Sequence, residues 1–91
     1  MQIVWSPLAI DDRSKIFDYI AADAPRAAIA VDTRLGEAIG SLAHFPESGR
    51  PGRIAGTREL VITGLPYVVP YRVTGQQVLI LRILHAAQLW P

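Results

Sequence analysis

Ninety-one residues, 51% hydrophobic and 19% charged, with seven glycines, seven prolines and no cysteine, describe one domain spanning 1–91. A chain of this size buries roughly 60–65% of the surface its unfolded form exposes, so it holds a modest core, and the apolar content excludes a disordered chain. The absence of cysteine excludes a disulfide scaffold, a zinc ribbon and a thiol nucleophile, and the net charge of +1 is no general nucleic-acid signature.

Gln2–Trp5 reads as a short strand. Ser6-Pro7 follows, an N-cap and a first-turn proline that open a helix running to about Ala22. Ala9, Ile16, Phe17 and Ile20 give it an apolar face, and Asp11 and Asp12 are expected in its solvated early turns, where the helix dipole favours carboxylates. Asp23-Ala24-Pro25 ends this helix and starts a second. From Pro25 to about Phe45, Ala28, Val31, Leu35, Ala38, Leu42 and Phe45 recur every three or four residues, which predicts a one-sided core stripe. The short connection predicts an antiparallel helical hairpin.

Pro46–Gly56 carries two prolines and three glycines and reads as loop. Three strand-like runs follow, about Thr57–Thr63, Pro66–Thr74 and Gln77–His85, separated by Gly64-Leu65-Pro66 and Thr74-Gly75-Gln76. Val78, Leu79, Ile80 and Leu81 are apolar on both faces, which predicts a central strand covered on both sides. Pro70 lacks an amide donor, so its amide position is expected at an edge or a bulge. The expected fold is α+β, in the order β-α-α-β-β-β, with a helical hairpin on one face of a small, mostly antiparallel sheet. The N-terminus MQIVWSPLAIDDR has no basic leader, and no apolar run approaches the ~20 residues of a membrane span, so the expectation is a cytoplasmic domain without membrane contact.

Chemistry-bearing residues are few. His44 reads as a helix-end residue. His85 closes the last strand and is a candidate general base, but no Ser, Cys or Asp stands near it in sequence. No metal-ligand spacing, Walker loop or dinucleotide fingerprint occurs, so no metal or other cofactor is expected.

Arginine is the distinctive feature. Eight of nine bases are Arg, and Arg50, Arg53, Arg58, Arg72 and Arg82 lie from position 50 onward against Glu59 alone. Arginine makes planar, bidentate contacts and holds its charge, so this end reads as a binding surface for an acidic polypeptide or a nucleic-acid backbone. A plainer alternative is a set of solvated strand-face charges with Glu59 as one partner.

The fragments from Phe45 onward carry a resemblance. Pro46-x-x-Gly49-Arg50-Pro51-Gly52-Arg53, Gly56-Thr57-Arg58-Glu59-Leu60, Pro66-Tyr67-Val68-Val69-Pro70-Tyr71-Arg72-Val73 and Val78-x-Ile80-Leu81-Arg82-Ile83-Leu84-His85-x-x-Gln88-x-Trp90-Pro91 together resemble the RelE/ParE superfamily of bacterial toxins. The capped helix with its aspartate pair and the Asp-x-Pro junction fit as well, so the resemblance spans essentially the whole chain. It implies a toxin of a type II toxin–antitoxin module, wrapped by a cognate antitoxin that folds on binding.

Within the superfamily, RelE-like members cut mRNA on the ribosome and ParE-like members block DNA gyrase. The ParE-like branch is favoured on three departures from the RelE-like pattern. Val68 stands where that pattern has an arginine, Ala86 and Ala87 replace basic residues after the last strand, and the loop before Thr57 holds no lysine. The low net charge agrees, because ribosome affinity rests on neutralising many phosphates. On this reading Arg50, Arg53, Arg58, Arg82 and Trp90 are candidate target- or antitoxin-binding residues. The alternative is a ribosome-dependent mRNA endonuclease, with Glu59, Arg72, Arg82 and His85 as candidate catalytic residues. A module that only binds its antitoxin is the third possibility.

Overall fold

The computed structural model describes residues 1–86, 88, 90 and 91. Strand β1 (Gln2–Trp5) leads into helix α1 (Pro7–Ala21), which is followed by helix α2 (Pro25–Gly40) and a single 3-10 turn at Ser41–Ala43. Strands β2 (Arg50–Pro51), β3 (Arg58–Val61), β4 (Tyr67–Thr74), β5 (Gln77–Ile80) and β6 (Leu84–His85) complete the described elements.

Both helix starts follow from the local chemistry. The Ser6 hydroxyl accepts the N–H of Ala9 and donates to the carbonyl of Leu81, so one side chain caps α1 and ties it to the far end of the chain. Each helix opens with proline in its first turn. The second helix stops at Gly40, five residues before the expected limit, and the 3-10 turn shifts the phase of the apolar stripe. Ala28, Leu35 and Leu42 are buried as expected, whereas Phe45 is 66% exposed.

The sheet runs β1-β5-β4-β3-β2, with β6 pairing β4. Its pairings are antiparallel except that β1 runs parallel to β5. A crossover through both helices makes that parallel pairing possible. The hairpin packs on the face carrying Val69, Tyr71, Val78 and Ile80, and with Leu35, Ile39, Leu42, Ile62 and Ile83 these form the core.

Only that face of β5 is sealed. Val78 and Ile80 are buried but Leu79 is half-exposed, which corrects the expectation of a strand covered on both sides. The physical reason is that both helices lie on one side of the sheet; on the other side Glu59, Val68, Pro70 and Leu84 are buried, but that cover does not extend over Leu79.

The last expected strand is split by a bulge. Tyr71 pairs with Ile80 and Val68 with Leu84, so Val69 and Pro70 of β4 oppose Leu81, Arg82 and Ile83. Pro70 sits at this break. Its carbonyl accepts the N–H of Leu81, and its missing amide costs no ladder bond there. The β4–β5 turn needs only two residues, Gly75 and Gln76, and Gly75 takes the positive φ (58°) that opens a type II′ hairpin.

Candidate partner-binding site

The bulge sets the position of Arg82. Its Nε and Nη2 donate to the two carboxylate oxygens of Asp12 at 2.7 and 2.9 Å, and the N–H of Ile83 donates to the same carboxylate at 2.9 Å. Asp12 is therefore no solvated helix-start residue. Its side chain is 13% exposed, lies beyond the first turn of α1, and fastens that helix to the end of the sheet. Asp11 behaves as expected of a surface residue, pairing with Lys15 one turn on. Arg13 is committed too: it grips Asp32 of α2 through Nε and Nη2, and its guanidinium lies over the Trp5 ring.

A second arrangement centres on Glu59, which is 1% exposed. Its Oε1 accepts from Arg50 Nη2 at 3.2 Å, and its Oε2 accepts the backbone N–H of Arg53 at 3.0 Å with Arg53 Nε 3.5 Å away. Burial alone pushes the Glu59 carboxyl up. The hydrogen bonds from the Arg53 amide and the Arg50 side chain, with both positive charges, outweigh burial and hold it below its ordinary value.

The loop before β3 is anchored on its other side by Tyr71. The buried tyrosine hydroxyl accepts the N–H of Gly49 and donates to the carbonyl of Pro46. Gly49 is required by this approach, since a Cβ there would stand 2.6 Å from that hydroxyl. Arg58 reaches back to the carbonyls of Gly49 and Glu47, so it secures the loop from within.

Strand register divides the candidate catalytic residues between two faces. Glu59 pairs with Pro70 and Arg72 with Leu79, which places Glu59 and Arg72 on the face away from the helices. His85 pairs with Tyr67, meets its ring edge-on at 6.1 Å, and lines a cavity of about 300 Å³ with Tyr19 and Ile16 of α1. It therefore belongs to the helix-covered face. Arg72 is exposed, and its side chain makes no hydrogen bond or ion pair among the described residues.

Trp90 is half-buried, and its indole N–H lacks a partner among the described residues. Ala87, one of two alanines weighed against the RelE-like pattern, lies outside the described residues. His44 caps the 3-10 turn, exposed and edge-on to Phe45.

Sequence reading missed Asp12 and Asp32 as partners of Arg82 and Arg13. Where α1 meets β1 and α2, the structure shows an apolar groove of about 500 Å³ lined by Trp5, Ile10, Arg13, Ser14, Phe17 and Asp32. Ile10 is 57% exposed beside this groove, and Ile29 of α2 is 59% exposed. The signal available in sequence was the second apolar flank of α1, where Ile10 and Phe17 stand seven residues apart. Among the described residues no group of three His, Asp or Glu side chains could hold a metal ion, and no helix is long and apolar enough to cross a membrane. The arrangement offers preset cations and an apolar groove, which suit recognition of another macromolecule.

Similarity to known proteins identifies the family. A 47% identical relative, covering 99% of this chain and 93% of its own length, is the putative toxin Y4kP of Sinorhizobium fredii. Toxin RelE2 of Caulobacter vibrioides is 46% identical, over 97% of this chain and 98% of its own. Among solved structures, the chromosomal ParDE TA system from P. aeruginosa superposes with a TM-score of 0.85 at 28% identity, covering 93% of this chain and 95% of that one. The toxin–antitoxin complex RelBE2 from Mycobacterium tuberculosis gives 0.61 at 26% identity, over 96% and 92%. The family model for the ParE toxin of type II toxin–antitoxin system parDE matches residues 3–90, and the chain belongs to that family within the RelE/ParE superfamily.

Proposed function

We propose that this type II toxin arrests growth by binding and inhibiting DNA gyrase, and that a cognate antitoxin silences it. The observation that carries this reading is the distribution of the candidate catalytic groups. Glu59 is spent on Arg50 and Arg53, Arg82 is spent on Asp12, and His85 lies on the opposite face of the sheet from Arg72. A general acid and base must reach the same substrate atoms from one side, and these groups do not converge. Binding without chemistry needs no such convergence. The closer superposition on the ParDE toxin than on RelBE2 supports the same branch.

The antitoxin reading rests on the groove beside Trp5 and on the two solved relatives, whose descriptions are of toxin–antitoxin systems. An amphipathic segment laid in this groove would cover the exposed Ile10 and the half-buried Phe17 and supply the affinity. Plasmid topology after expression of the toxin alone tests the target. Gyrase inhibition predicts relaxed topoisomers with intact mRNA. Codon-positioned mRNA cuts with normally supercoiled plasmid would replace this account with the ribosomal one.

A further inference from the structure

Arg50 and Arg53 are held at one end and open at the other. Each touches Glu59 through one edge of its guanidinium, yet their side chains remain 56% and 44% exposed. The remaining N–H groups of both forks find no partner among the described residues. Two positive charges over one buried carboxylate leave a net local charge of +1, and Arg72 on the same face adds another.

The loop beneath them is fixed independently of any ligand. Tyr71 holds Pro46 and Gly49, Arg58 holds Gly49, and the N–H of Gly52 donates to the carbonyl of Thr57. A cation pair fixed before contact loses little entropy on binding.

We propose that Glu59 is a positioning residue that presents Arg50 and Arg53 as a two-guanidinium clamp for a carboxylate on an acidic segment of the toxin's target protein. This rests on the gyrase reading above. A peptide carboxylate fits better than a nucleic-acid backbone for a reason of supply. Arg13 and Arg82 are paired with Asp32 and Asp12, and Arg34 and Arg58 are turned onto backbone carbonyls. Too few cations remain free to follow a run of phosphates. One or two carboxylates match the forks of a rigid arginine pair.

The clamp also stands apart from the apolar groove. Strand β1, which carries Trp5, and strand β2, which carries Arg50, form the two opposite edges of the sheet. Target contact and antitoxin contact are therefore separable by mutation.

Two variants test the clamp without leaving a buried charge exposed to loss of its partners. Arg50→Lys/Arg53→Lys keeps the charge but removes the second guanidinium edge. Arg50→Gln/Arg53→Gln/Glu59→Gln removes the charges together and keeps hydrogen-bonding groups in place. Inhibition of gyrase supercoiling, calorimetric affinity for the purified antitoxin, and thermal melting are measured on each.

The clamp predicts inhibition weakened by about tenfold or more in both variants. Antitoxin affinity should stay within about threefold, because the groove is untouched. If the triple variant does not fold, the lysine pair carries the test. A folded variant that inhibits as well as wild type overturns the clamp and leaves the gyrase reading in place. Parallel loss of antitoxin affinity overturns the assignment of this surface to the target. A wild-type toxin that leaves gyrase active overturns both the functional reading and the clamp's occupant.

Discussion

Asp12 and Arg82, seventy positions apart, form a two-point ion pair that joins the first helix to the bulge at the end of β5. The same carboxylate receives the Ile83 amide, so one side chain satisfies three donor groups. Arg82 is 29% exposed and Asp12 13%, which puts the pair between a surface bridge and a buried one. Asp12→Ala should destabilise the fold by about 2–4 kcal/mol, because a half-buried guanidinium and an amide lose their acceptor. Differential scanning calorimetry should show the midpoint falling by about 8 °C or more. An unchanged midpoint would mean that the pair contributes only geometry.

The Tyr71 hydroxyl makes a narrower prediction. Tyr71→Phe leaves the buried Gly49 amide without its acceptor and should cost about 1–3 kcal/mol. Hydrogen exchange should accelerate over residues 46–53 more than in the helices. Uniform acceleration across the chain would argue against a local role for this hydroxyl.

Gly40 offers a change of opposite sign. Its backbone is helical, and a Cβ there would meet nothing within 4 Å. Gly40→Ala should stabilise by about 0.4–1 kcal/mol by restricting the unfolded chain. Gly49→Ala should destabilise, because its Cβ would meet both the Tyr71 hydroxyl and the Glu59 carbonyl. Urea denaturation of the two variants should separate in opposite directions.

Glu59 gives the fold an acid limit. Burial raises its pKa, but the Arg53 amide, the Arg50 fork and the two charges lower it further, so the folded value lies below the ordinary 4.5. A carboxyl depressed on folding contributes stability that is complete above its unfolded pKa and lost as pH falls through the folded value. Stability should therefore fall with decreasing pH below about 4.5, and Glu59→Gln should flatten that limb. Denaturant midpoints across the acid range report the slope. A slope equal to wild type in the glutamine variant would assign the acid limb to other carboxylates.

What could be read from the chain alone followed the range of each interaction. The helix starts at Ser6-Pro7 and Pro25 depend on neighbouring residues and were legible, as were the turns at Gly64 and Gly75. The buried positions Ala28, Leu35 and Leu42 were legible from spacing. Arg82 was not, because its direction depends on one extra residue in a ladder, and a bulge leaves no periodic trace. Asp12 failed for the same reason, since its partner lies at the other end of the chain. The faces of Glu59 and His85 also waited on register, because a shift of one residue exchanges the faces of a strand.

The central claim is that this toxin acts by binding gyrase. The most direct test is a supercoiling assay with purified gyrase and relaxed plasmid, run with toxin alone and with toxin plus its antitoxin. The account predicts plasmid that stays relaxed with toxin and becomes supercoiled again when the antitoxin is present. Normal supercoiling at micromolar toxin, by a preparation that still arrests growth in cells, would contradict it and move the target to the ribosome.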